Sequence, residues 1–285
     1  MRLRRRLPNR PGLNLRSCQN NSCHSERSEE SLCSVLRDAL RRSAQNDALN
    51  RMIFFVIGTL ALLAFLAWAT YRSAIVLREA MPDFNMLLHP LENAVRLVLI
   101  GVCFGLGAVS GLPMTQLGWA SGNLARDAIL GLAIGTLIPL LLLPITQWAV
   151  ERFGRQIYSP MVILNILPRN RREWLFVPLA LISAVFLEEL LFRSLLVGGF
   201  SVFISPAILA VVWSCMFGAM HLPQGPLGII VAAALGVVLS ILFLVTSSLV
   251  APFIAHYLIN VLQVVIASRD KTLLENYGTT SSSHF

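Results

Sequence analysis

The sequence predicts an all-α fold: a polytopic transmembrane helical bundle of about seven spans. Three observations predict it. Charged residues make up 13% of the chain and hydrophobic residues 55%, about half the charged share of a soluble domain. Mean hydropathy is +0.68. Seven apolar runs each hold roughly the 20 residues a helix needs to cross about 30 Å of hydrocarbon. Backbone N–H and C=O groups cannot go unpaired in lipid, and helices satisfy them internally.

Residues 1–51 precede the first run. They carry 11 arginines and five acidic residues, with no apolar stretch beside the arginines that would make a signal peptide. They are expected to form a basic tail without regular structure, with a short amphipathic helix around Ser31–Ser43 as the alternative. The stretch resembles a translated bacterial intergenic repeat. Met52 opens the apolar sequence at once, so it is the expected start of translation.

The runs follow in order: 53–71, 94–112, 127–149, 174–197, 202–221, 227–245 and 248–267. The second and third contain closely spaced glycines, Gly101, Gly105, Gly107 and Gly111, then Gly131 and Gly135. Small residues at such spacing suit close helix packing in lipid. Pro139 and Pro144 are expected to kink the third. The fifth is stopped by Pro223 and Gly225. Trp68, Trp119, Trp148 and Trp174 stand near span ends and read as interfacial anchors. By organisation, residues 52–168 form an N-terminal helical region, 169–268 a second helical region and 269–285 a C-terminal tail without regular structure.

Loop cations set the orientation. Arg72 and Arg78, then Arg152, Arg155, Arg169, Arg171 and Arg172, then Arg269 and Lys271, fall on one side of a seven-span chain. The opposite loops hold only Arg126. The cation-rich side is expected to be cytoplasmic. The net charge of +8 therefore belongs to the tail and the membrane flanks. It points to a bilayer as partner and not to nucleic acid. Cys103 and Cys215 lie in apolar runs, and no cysteine spacing suggests a zinc finger or a disulfide framework.

The fourth run carries three charges in FLEELLFR: Glu188, Glu189 and Arg193. Each costs at least about 2.5–3.5 kcal/mol at a helix centre, which makes such residues functional candidates. Glu189 and Arg193 are four apart and share a helix face, so their pairing offsets desolvation. Glu188 lies off that face, free to act in a polar cavity. His221 ends the fifth run in FGAMH, with Phe217 one turn earlier and read as packing. His256 and Asn260 are four apart in HYLIN of the seventh. Three helices thus present a carboxylate, two imidazoles and an amide in apolar surroundings.

These strings resemble the motifs of the CAAX-protease and bacteriocin-processing (CPBP) family of intramembrane peptidases. EELLFR matches EExxxR, FGAMH matches FxxxH and HYLIN matches HxxxN, in the same order. The resemblance covers roughly residues 170–267, and makes 169–268 a CPBP-like catalytic core. It implies an endopeptidase in which Glu188 and His221 hold and activate a water. Glu189 and Arg193 support the site, and His256 and Asn260 stabilise the oxyanion or help hold a metal. Glu188, His221 and His256 also make a zinc-type ligand set, although HExxH spacing is absent; a divalent metal at these residues stays open. The implied substrate is a membrane-associated peptide or protein, and the implied location is a bacterial inner membrane. Two other readings stand beside it: a non-proteolytic member of the family, such as a bacteriocin self-immunity factor or scaffold, and a transporter using the same groups as a relay.

Overall fold

A computed structural model describes residues 26–79 and 84–270, and every regular element in them is helical. In chain order these are α1 (Glu26–Glu79), α2 (Pro90–Ser110), α3 (Leu124–Phe153), the short α4 (Met161–Ile166), α5 (Glu173–Glu189), α6 (Pro206–Ala219), α7 (Gly225–Thr246) and α8 (Val250–Arg269). Residues Met1–Leu49 and Asn50–Phe285 form two units. Residues 26–51, expected to lack regular structure, are helical, because α1 starts at Glu26. The expectation for residues 1–25 and 271–285 lies outside the described residues.

Among the described residues six helices are long and apolar enough to cross a membrane, and the protein is an integral membrane protein. The fifth expected run gives a shorter helix than 202–221 promised. Pro206 starts α6 and the chain leaves it after Ala219, 14 residues later. At 1.5 Å per residue it is about 21 Å long, short of the hydrocarbon thickness. The fourth run is longer than expected, continuing beyond α5 to Val202. Large apolar side chains cover the outer faces, among them Leu97, Ile129, Leu140, Leu179, Val211 and Ile230, as a lipid-facing surface requires.

Within the second unit, the helices interlock where side chains are small. A Cβ on Gly131 would lie 2.8 Å from the Ala251 carbonyl oxygen, and one on Gly135 2.9 Å from Ala255 Cα, so α3 presses its backbone onto α8. Gly218 and Gly236 do the same for α6 against α7, with would-be contacts of 2.6 Å to Ile229 O and 2.9 Å to Ser214 Cβ. Gly101 and Gly105 have open space around them and mark no helix contact. Gly107 lies beneath Trp119, and Gly111 ends α2 in the left-handed conformation at φ +72°. Pro139 and Pro144 are accommodated inside α3, which runs through both.

The helix ends gather into two opposite sets. At one end the amide of Ser159 donates to Gln224 O (2.9 Å), and Asn85 Nδ2 donates to Ile166 O (3.1 Å). This end carries the arginines of the 150–173 loop. At the other, Gln116 Nε2 donates to Gly198 O (3.2 Å), and the amide of Leu249 donates to Gly118 O (2.9 Å). Trp119 is drawn into this second layer. Its Nε1 donates to Ser194 Oγ at 2.9 Å and its ring packs on Phe104. It is therefore a half-buried strut, whereas Trp68, Trp148 and Trp174 stay exposed.

Candidate active site

The site forms where α5, α6 and α8 meet. Glu188 lies 15 residues past the start of α5 and His256 lies 13 before the end of α8. Those spacings put both about 20 Å from the cation-rich end. Beyond Glu189 the chain widens into a π-helical stretch, Leu190–Gly198, in which every residue is buried. Such stretches are rare and concentrate at functional sites.

Glu189 and Arg193 pair at 3.0 Å, with side-chain exposures of 0% and 1%. Arg193 Nη2 also donates to Gly236 O on α7 (3.3 Å). The same Glu189 Oε1 that meets Arg193 lies 2.7 Å from His256 Nδ1. A carboxylate oxygen held by a guanidinium is an acceptor, so Nδ1–H is the donor. That bond fixes the His256 ring and points Nε2 at Glu188, 3.6 Å from Oε2. Glu188 is 39% exposed while His256 is 3% exposed. The array therefore runs from a buried carboxylate, through an oriented imidazole, to an accessible carboxylate.

His221 follows the end of α6. The last carbonyls of a helix have no partner within it, and His221 Nδ1 takes one of them, donating to Phe217 O at 2.7 Å. In the neutral ring that tautomer makes Nε2 the acceptor. This half-buried residue stays beside α6: Phe217 reaches both the His221 ring (centroids 4.6 Å apart) and the His256 ring (5.8 Å). Asn260 is on the His256 face of α8, one turn nearer the cation-rich end.

Of the residues singled out from sequence, Glu188, Glu189, Arg193 and His256 are joined by direct contacts. His221 is joined to them through Phe217. Asn260 has no side-chain hydrogen bond among the described residues and belongs to the group by its helix face. Glu188 Oε2 lies 3.6 Å from His256 Nε2. The expected zinc-type set of Glu188, His221 and His256 does not fit this arrangement. Among the described residues no three His, Cys, Asp or Glu side chains gather as a metal site. No reaction step is therefore derived through a metal.

Two features were not read from the sequence. Phe217, expected to pack, meets Arg193, His221, His256 and Phe192. Its position one turn before His221 was the available signal. The bond from Glu189 to His256 spans 67 residues and has no local signature.

No curated protein and no solved structure matches the chain. Residues 170–262 match the family described as Type II CAAX prenyl endopeptidase Rce1-like. That stretch carries Glu188, Glu189, Arg193, His221, His256 and Asn260, and over it the chain is similar to the CAAX-protease family.

Proposed function

We propose that the protein is an intramembrane endopeptidase that hydrolyses a peptide bond of a membrane-associated peptide or protein. The observation that carries this reading is the Glu189–His256–Glu188 array, which sets an oriented imidazole against an accessible carboxylate inside an apolar bundle. The family match supports the reaction class.

In this reading Glu188 is the general base. Water gives it one proton, and the resulting hydroxide forms a bond to the scissile carbonyl carbon. His221 Nε2, free to accept because Nδ1–H is spent on Phe217 O, takes the second water hydrogen as a hydrogen bond and aims the oxygen. The carbonyl becomes an oxyanion, which the Asn260 amide stabilises as a donor, joined by His256 when its Nε2 carries a hydrogen. Glu188 then passes its proton to the leaving nitrogen, the C–N bond breaks, and a carboxylic acid and an amine leave. Glu189 and Arg193 touch no substrate. They hold the His256 ring and its hydrogen in place, as a carboxylate partner does for catalytic histidines in general.

The cation-rich end faces the cytoplasm in this reading, and the host membrane is a bacterial cell membrane. Purified protein in detergent should cleave members of a peptide library that includes CAAX peptides, with products identified by mass spectrometry. Glu188→Ala and His221→Ala should each abolish that cleavage in folded protein. Unchanged cleavage in both variants refutes the mechanism. A cellular phenotype that survives Glu188→Gln supports the non-proteolytic reading instead.

A further inference from the structure

We infer that Phe217 is a positioning residue, whose ring limits the orientation of the His221 imidazole, braces that of His256 and holds the Arg193 guanidinium on its face. This deepens the peptidase reading and rests on it only where rates are concerned.

Phe217 is 2% exposed. The Arg193 guanidinium carbon stands 4.9 Å from its ring centroid, inside the range in which a cation is held by the ring face. That contact matters because Arg193 is buried and its Nε has no hydrogen-bond partner among the described residues. The His221 ring meets Phe217 at 4.6 Å and 51°, and the His256 ring meets it nearly edge-on at 5.8 Å and 79°. No other ring among the described residues touches both histidines. Phe192 braces Phe217 from the π-helical stretch at 5.1 Å and 81°.

The residue acts on His221 in two separable ways. Its backbone carbonyl accepts Nδ1–H, which selects the tautomer. Its ring limits rotation of the imidazole about that bond. A ringless side chain at 217 keeps the carbonyl and loses the restraint. It also removes the ring face on which the Arg193 guanidinium rests. An aliphatic residue of similar size can fill the space, but it offers neither a flat face to a guanidinium nor an edge to an imidazole. A purely packing role and a positioning role therefore differ in what Leu and Met do.

The test compares Phe217→Leu and Phe217→Met with the wild type in detergent. The first measurement is of cleavage. Positioning predicts a loss of about 10- to 100-fold in kcat for both variants, with KM within about twofold because no binding contact is removed. The second does not depend on activity. The chain has five histidines, so 13C-labelled histidine with His221→Ala as the assignment control isolates the His221 signal. The wild type should show the single Nδ1–H tautomer, and each variant should show a second population or exchange broadening. Wild-type kcat together with an unchanged His221 signal in either folded variant overturns the inference. A wild type that cleaves nothing fails the peptidase reading, and the histidine spectrum then decides the role of Phe217 alone.

Discussion

His256 Nδ1 donates to Glu189 Oε1 at 2.7 Å, joining α8 to α5 through an oxygen that Arg193 also holds at 3.0 Å. One carboxylate atom thus serves a buried cation and an imidazole at once. Its removal should be felt twice. In Glu189→Gln the amide oxygen still accepts a hydrogen bond, but the Arg193 charge is left buried without its counterion. Breaking such a pair costs about 3–5 kcal/mol. The freed His256 ring should lower kcat by about 10- to 100-fold. Thermal unfolding in detergent and cleavage rates check the two effects. A variant as stable as the wild type would show that the Arg193 charge is met by another group.

Glu188 should behave in the opposite way. Its side chain is 39% exposed, and a substitution at such a site usually changes stability by no more than about 0.5 kcal/mol. Glu188→Gln should nevertheless reduce cleavage by about 10²- to 10⁴-fold, the range for loss of a general base. Stability and activity therefore separate at adjacent residues: both fall at Glu189, and only activity falls at Glu188. Equal losses of stability at the two positions would contradict the exposed and buried roles given to them.

Asn260→Ala gives a third pattern. As an oxyanion donor it should cost about 10²- to 10³-fold in kcat, with KM little changed, because the interaction forms only as the tetrahedral centre develops. A rise in KM at constant kcat would instead assign Asn260 to ground-state substrate binding.

Much of this was legible in the sequence, for local reasons. A span needs a long apolar run, and the runs at α2, α3, α7 and α8 stand out against a chain that is 13% charged. The Glu189–Arg193 pair follows from helical spacing alone. What escaped was set by neighbours distant in the chain. The apolar run of 202–221 continues past the end of α6, and nothing within it shows that the helix stops at Ala219. Trp119 looks like any tryptophan at a span end until Ser194, 75 residues away, takes its N–H. Gly101 and Gly105 have the spacing of a packing motif, but α2 turns that face to open space. The π-helical stretch after Glu189 follows from no residue type within LLFRSLLVG.

The same glycines supply a packing test. Gly135 has Ala255 Cα at 2.9 Å from a would-be Cβ, and Ala255 precedes His256. Gly135→Val should overpack the α3–α8 contact at a cost of about 1–3 kcal/mol and lower activity by displacing His256. Gly101→Ala meets nothing within 4 Å and should gain about 0.5–1 kcal/mol from helix propensity. Unfolding midpoints of the two variants should shift in opposite directions. A stabilising Gly135→Val would mean that the α3–α8 approach is looser than these distances allow.

Metal dependence is the last expectation, and the donor atoms decide it. A catalytic zinc needs three protein ligands. His256 offers only Nε2, 3.6 Å from Glu188, because Nδ1 is bound to Glu189. His221 would have to bring Nε2 to the same point while its Nδ1 stays on Phe217 O at 2.7 Å. Two ligands in place and a third held elsewhere should not retain zinc through dialysis. The cleavage rate should therefore be the same before and after exhaustive chelation, with metal content measured on the same samples. Activity lost on chelation and restored by zinc would mean that His221 Nε2 joins Glu188 and His256 Nε2 around the ion, with Nδ1–H still held by the Phe217 carbonyl. In that case His221→Ala should abolish zinc retention, and Asn260→Ala should leave it intact.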